Sequence, residues 1–248
     1  MATTSQPIGE GGTLDFGRAF QFFFEDPDWV KKLLMGGLFQ LLALLLVGVP
    51  FLIGYFLRIV KNVARGEPRP LPEWDDLGGL FSEGLRGFGL YLVLLVGALL
   101  IPGALGCVLA LMGGALSAAS RNSDGGNAAG GAMMAMGFML FYVLVLLVSL
   151  AVGLYMPAAF ARMAIYDRFG AGLEFAENLA FIRRNAINYL LVIVIHIVTG
   201  FIAQFAIILL CIGIFPAAFW GTCCSAWALG ETVRRDPALA PAAPLATY

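Results

Sequence analysis

The stretch LLALLLVGVPFLIGYFLRIVKN, residues 41–62, decides how this chain meets a membrane. Followed back to Leu33, the apolar run reaches Val60 and is interrupted only by Gln40, Arg58 and small residues. As one straight helix, 33–60 measures about 42 Å. Fitting that to a hydrocarbon core of about 30 Å needs a tilt of about 44°, outside the usual range of about 0–40°. Folded back at "VGVP", the same residues make two limbs of about 22 Å each and return to the side they came from.

Charge decides between the two. Three further apolar segments lie at 88–112, 133–160 and 189–230. The first two are each about one span long. Splitting 88–112 at "IPG" leaves pieces too short to cross, so Pro102 reads as a kink. The third measures about 63 Å and must cross and return. Its natural fold point is CIGIFP (211–216), where Gly213 and Pro216 punctuate the run. If 33–60 also folds back, every Lys and Arg lies on one face except Arg121. If it crosses once, Arg18, Lys31 and Lys32 join Arg121 on the far face. Cytoplasmic loops carry the excess of Lys and Arg, which favours the hairpin. Whether its limbs fully span or form a re-entrant dip stays open.

The expected fold is therefore all-α and polytopic, with about six transmembrane or re-entrant helices in the order hairpin, span, span, hairpin, and both termini cytoplasmic in a bacterial-type inner membrane. The order along the chain reads as a flexible 1–12, an interfacial helix 14–25, a hairpin 33–62, spans 88–112 and 133–160, an interfacial helix 172–186, a hairpin 189–233 and a disordered, Ala/Pro-rich tail 236–248. An internal echo fits this plan. LLLVGVPFLIGYF (44–56) is similar to ILLCIGIFPAAFW (208–220), and LDFGRAFQF (14–22) to LEFAENLAF (173–181), as if a unit of interfacial helix plus hairpin occurred twice.

Composition agrees. Hydrophobic residues make up 60% and charged residues only 12%, against about 25% charged in soluble domains. The net charge of −1 points away from nucleic acid. The opening MATTSQPIGEGGTLDF has no basic residue followed by a short apolar core, so it does not read as a signal peptide, and it lacks the Met-Gly start of a myristoylated chain. Cys107, Cys211, Cys223 and Cys224 sit in apolar segments with no C-x-x-C spacing and read as small packing residues, with a palmitoylated or redox Cys223–Cys224 pair as the alternative.

Three stretches before the spans alternate at helical spacing: 14–25, 75–88 and 172–186. Each sets Phe, Leu or Ala against Asp, Glu, Asn, Gln, Ser or Arg. Such helices lie at the headgroup boundary or seal the end of a bundle, with partner docking or lipid sensing as the alternative. Two short motifs stand out, FFEDPDWVKKLL and GEPRPLPEWDDLGGLF. Asp26 before Pro27 reads as a helix N-cap with proline at the first position, and Asp75 or Asp76 can cap the 77–88 helix. Trp29 and Trp74 suit the interfacial belt. PRPLP is stiff, extended and poor in backbone donors.

These two motifs, in this order around a first hydrophobic pair, resemble the bacterial and archaeal membrane family known as domain of unknown function 4013. The matching residues are Asp26, Pro27, Asp28, Trp29, Lys31 and Lys32, then Gly66, Glu67, Pro70, Leu71, Pro72, Glu73, Trp74, Asp75 and Asp76. The resemblance covers roughly 16–235. It implies a polytopic helical protein and carries no activity with it.

Candidate chemistry is sparse. Glu25, Asp26, Asp28, Glu73, Asp75 and Asp76 place six acids in two motifs on the expected cytoplasmic face. If the motifs meet, their carboxylates suit a divalent cation or a cationic headgroup. The plainer reading is capping plus ion pairs with Lys31, Lys32, Arg65 and Arg69. His196 is the titratable residue expected within the bilayer, on a helix whose Thr199, Gly200, Ala203 and Gln204 form a small-and-polar stripe. Packing competes there with a functional role. No mid-span Asp or Glu suggests a proton relay, and G-x-S-x-G, H-E-x-x-H and P-loop patterns are missing. No cofactor or metal site follows from the sequence. The expected role is a non-enzymatic structural, accessory or assembly component. The expected partners are membrane lipids, another membrane protein or a second copy. A transporter or channel for a small or lipidic substrate is the first alternative, and an enzyme acting on lipid headgroups the second. A polar cavity reaching His196 and Gln204 would favour the former. Glu25, Asp28, Glu73 and Asp76 within metal-binding distance would favour the latter.

Overall fold

The computed structural model describes residues 12–119, 124–206 and 213–240. Arg121, Cys211 with the start of the second expected fold point, residues 1–11 and the tail beyond 240 lie outside the described residues. Among the described residues the regular structure is helical. The helices are α1 (Arg18–Gln21), α2 (Trp29–Leu42), α3 (Val49–Ala64), α4 (Leu77–Ala119), α5 (Asp124–Tyr166), α6 (Phe175–Arg184), α7 (Ala186–Phe205) and α8 (Ile214–Arg235). Three helical stretches are long and apolar enough to cross a membrane: Leu77–Ala119, Gly130–Tyr166 and Ala186–Phe205. The chain divides into two compact units, one comprising residues up to Leu90 and from Pro157 onward, the other Tyr91–Met156.

In the first unit the stretch 41–62 is interrupted by a turn. α2 ends at Leu42, a 3-10 turn covers Ala43–Leu45, and Leu46 adopts φ 63° before α3 starts at Val49. The Leu46 N–H donates to the Ala43 carbonyl at 2.9 Å and the Gly48 N–H to the Leu42 carbonyl at 3.2 Å. Gly48 is required there, because a Cβ would collide with the Phe39 carbonyl oxygen. The chain folds back: Phe39 near the end of α2 meets Phe51 near the start of α3 at 4.6 Å between rings. Pro50 lies in the first turn of α3, where its missing N–H leaves no helical bond unmade.

α8 is the centre of this unit. Phe219, Gly221 and everything from Cys223 to Val233 are buried, so this helix is covered all round rather than on one stripe. Its sequence explains how. Gly221, Cys223, Cys224, Ser225, Ala226, Ala228 and Gly230 are small, which lets neighbouring backbones approach. A Cβ on Gly221 would press on Thr199 of α7, and one on Gly230 on Val63 and the Val60 carbonyl of α3. From the other side, Gly36 of α2 leaves room for the Phe219 ring and Gly37 for Pro216. Thr199 Oγ1 donates to the Ile195 carbonyl at 2.8 Å, so a hydroxyl at this contact is satisfied within its own helix.

Helix α4 differs from expectation in one respect. The amphipathic 77–88 and the span from 88 are one continuous helix, unbroken at Gly84, Gly87, Gly89 and Pro102. The reason lies in α3. A Cβ on Gly84 would strike the Pro50 carbonyl oxygen, one on Gly54 the Leu80 carbonyl oxygen, and one on Gly87 the Ile53 side chain. Gly54 and Gly84 therefore mark a helix crossing in backbone contact, not a boundary. The faces are also redistributed. Leu77, Phe81 and Leu85 are exposed, while Glu83 turns inward to ion pairs. On α6, likewise, Phe175 and Leu179 are exposed while Asn178 and Phe181 are buried. Asn178 Nδ2 is satisfied there by the Gly172 carbonyl at 3.0 Å.

The stretch 14–25 forms the single turn α1 followed by a 3-10 turn, Phe22–Glu25. The C-terminal end continues past Arg235 into a turn in which Asp236 accepts from the Ala238 and Leu239 N–H groups at 2.8 and 3.0 Å, with Leu239 fully buried. Arg184 and Asn185 clasp the same carboxylate from the junction of α6 and α7.

In the second unit α4 and α5 run antiparallel. Gly106 faces Phe141, Leu109 faces Gly137, and Gly113 and Ser117 face Met134 and Gly130. The small residues sit on the shared seam, while Leu100, Leu111, Met139, Tyr142 and Leu146 point away from it and are exposed.

Candidate functional site

The two acidic motifs meet. α2 presents Lys32 one turn below Asp26, and the loop after α3 brings Leu71–Trp74 alongside. The Lys32 ammonium, 2% exposed, lies 2.8 Å from Asp26 Oδ2 and 2.6 Å from Glu73 Oε1, and donates to the Leu71 carbonyl at 3.1 Å. An ammonium has three hydrogens, and all three are used. The second Asp26 oxygen accepts from the Asp28 N–H at 2.9 Å, and the Asp26 carbonyl from the Trp29 N–H at 3.2 Å. The helix accordingly begins at Trp29, two residues later than an N-cap at Asp26 implies, and Asp26 holds the turn that precedes it.

The donor-poor PRPLP loop is fastened by its carbonyls. Pro70 accepts from Asn62 Nδ2 at 3.0 Å, Leu71 from Lys32, and Pro72 from the Tyr55 hydroxyl at 3.0 Å. Three side chains of α2 and α3 thus compensate for a segment whose own N–H groups are few. Trp74 is buried rather than interfacial. It stacks between Phe39 at 4.8 Å and Tyr55 at 4.5 Å, with Phe219 of α8 5.9 Å away. Its indole nitrogen is buried without a hydrogen-bond partner.

Asp76 is the cap that the sequence allowed. Its Oδ1 accepts from the Gly79 N–H at 2.9 Å and its Oδ2 lies 2.7 Å from Arg58. The Gly79 N–H, and then Arg58, hold the Asp76 carboxyl below the usual carboxylate range. Asp75 is exposed and accepts the Asp76 N–H at 2.9 Å. Arg58 also reaches Glu83 at 3.0 Å, and the chain of charges continues through Lys61 to Asp167 at 3.4 Å and from Asp167 to Arg86 at 3.2 Å. A second cluster joins Arg162 to Glu174, with Glu177 at 3.8 Å and the Tyr166 ring below the guanidinium.

Glu25 and Asp28 are exposed and stand apart from the Lys32 cluster. Among the described residues no group of three or more His, Cys, Asp or Glu side chains is placed to hold a metal ion. Trp29 lies edge-on to the exposed Phe24 at 5.2 Å. His196 and Gln204 are both exposed on α7, and His196 Nδ1 is 3.3 Å from Ser225 Oγ of α8. Cys223 and Cys224 are buried and Cys107 is exposed.

Sequence reasoning weighed Lys32 among four basic partners, but it missed Arg58, Tyr55 and Phe219. Arg58 was visible as the one charge inside an apolar run. Tyr55 and Phe219 carry no short-range signal, because they reach Trp74 from two helices, α3 and α8, that are distant from each other in sequence.

Fold and surface together define an all-helical protein with three apolar helices fit to cross a membrane. The family model described as "Protein of unknown function (DUF4013)" matches residues 37–212, and the chain belongs to that family. The match contains the second acidic motif and begins after the first. No curated protein and no solved structure matches the chain.

Proposed function

We propose that this chain is a non-enzymatic structural or accessory component of a bacterial-type inner membrane, with cytoplasmic termini and about six transmembrane or re-entrant helices. Its contribution is a membrane-embedded surface for another membrane protein or a second copy. The observation that carries this is the apolar exterior of α4 and α5. Only 6% of the most apolar window of each is buried within the chain. The charged groups support the reading from the other direction: Lys32 is engaged with Asp26 and Glu73, and Arg58, Lys61 and Arg86 with Asp76, Glu83 and Asp167. An array saturated by its own partners holds helices in place and leaves little for a substrate.

Photocrosslinking residues at Leu111 and Met139, read in native membranes, test the proposal. The expected result is a crosslink to a membrane protein, or to a second copy, from at least one site. Adducts to lipid alone from both sites contradict it.

A further inference from the structure

The first turns of α2 carry a feature that the Lys32 cluster does not use. A groove of about 530 Å³ is lined by Pro27, Asp28, Val30, Lys31, Leu34 and Met35. Asp28 and Lys31 are both exposed, and neither belongs to the ion pairs formed among the described residues. Asp28 is the residue that precedes α2 and Lys31 lies in its first turn. Below them Val30, Leu34, Leu38 and Leu41 form an exposed apolar stripe at helical spacing, 49%, 64%, 50% and 44% accessible. Beside them Trp29 and the exposed Phe24 make an aromatic edge of the kind found at headgroup depth.

We propose that this groove is a phosphatidylethanolamine site. The headgroup is a zwitterion whose phosphate carries the negative charge and whose primary ammonium carries the positive charge and three donors. Lys31 takes the phosphate and Asp28 takes the ammonium. One acyl chain lies along the Val30–Leu41 stripe, about 16 Å of helix. The complementarity is specific to both ends of the headgroup. A purely anionic lipid brings no cation for Asp28, and a choline headgroup has no N–H to donate. The site is separate from the α4–α5 surface of the proposed function and does not depend on it.

The test uses the full chain in vesicles containing phosphatidylethanolamine, phosphatidylglycerol and phosphatidylcholine, with one class at a time carrying brominated acyl chains. Bromine quenches nearby tryptophan, and subtracting the emission of a Trp29→Phe variant isolates Trp29. Brominated phosphatidylethanolamine is expected to quench Trp29 roughly two- to fivefold more than either other lipid at equal mole fraction, the range for solvent-accessible ion pairs. Asp28→Asn and Lys31→Gln, both at exposed positions, are each expected to bring that ratio to one. Equal quenching by all three lipids in the wild type overturns the proposal. A preference for phosphatidylglycerol, or a preference that survives both substitutions, overturns it equally.

Discussion

Lys32 shows most clearly how a residue's environment sets its worth. Its ammonium and the Asp26 carboxylate are both nearly out of solvent, at 2% and 5% side-chain exposure, whereas Glu73 is half exposed. Removing one partner of a buried pair strands the other charge, which costs about 3–5 kcal/mol. Lys32→Met is therefore expected to lower the thermal midpoint of the detergent-solubilised protein sharply. Asp26→Leu combined with Lys32→Met should recover much of the loss, and Glu73→Gln should cost no more than about 1 kcal/mol. A double variant as unstable as Lys32→Met alone would contradict this. Asp76 offers a milder case. Its folded pKa is depressed, so its contribution is present above the unfolded value of about 3.9 and is lost as pH falls through the folded value. Melts of wild type and Asp76→Ala should converge on acidification below that range, and Asp76→Asn, which keeps an oxygen for Gly79, should melt above Asp76→Ala at neutral pH.

The elements show where sequence reading succeeds and where it stops. The fold-back at 43–48 was legible because length, charge and a Gly-x-Pro signal agree there. The start of α8 after Gly213 was legible from run length and from Gly213 and Pro216. The unbroken course of α4 was not. Glycines at 84, 87 and 89 lower local helix propensity, and only the facing α3 reveals that Gly84 and Gly87 are contacts. The contrast is measurable. Gly84→Ala forces a Cβ onto the Pro50 carbonyl oxygen and is expected to cost about 2–4 kcal/mol. Gly78→Ala, with nothing within 4 Å, should be neutral or stabilise by up to about 1 kcal/mol. Comparable losses from both would refute the crossing. The 43–48 turn makes its own prediction. Leu44, Leu45, Leu46 and Val47 are all exposed within the fold, at 71%, 72%, 67% and 59%. If lipid covers them, Val47→Cys reacts poorly with a hydrophilic maleimide from either side of the membrane and readily in detergent. Rapid reaction in intact membranes would place the turn in water.

For the whole molecule, membrane character and helical class followed from composition and run length. The central position of α8 did not, because a run of Gly, Ala, Ser and Cys reads as an ordinary apolar span until its neighbours are known. The candidate acids were found, but their neutralisation by Lys32 and Arg58 depends on a loop that returns along α3. The charge pattern supplies the frame for the rest. Arg58, Lys61 and Arg86 share acids with one another at the ends of α3 and α4, and Arg162 and Arg168 share Glu174 beyond the end of α5. In the proposed topology these groups stay together on the cytoplasmic side. The most direct measurement is side-specific cysteine labelling in a cysteine-free background, with single cysteines at Asp75, Asn122 and Glu177 in oriented membrane vesicles. Asp75→Cys and Glu177→Cys are expected to label only from the cytoplasmic side and Asn122→Cys only from the opposite one. Labelling of Asp75→Cys and Glu177→Cys from different sides, or of Asn122→Cys from the side they share, would contradict it.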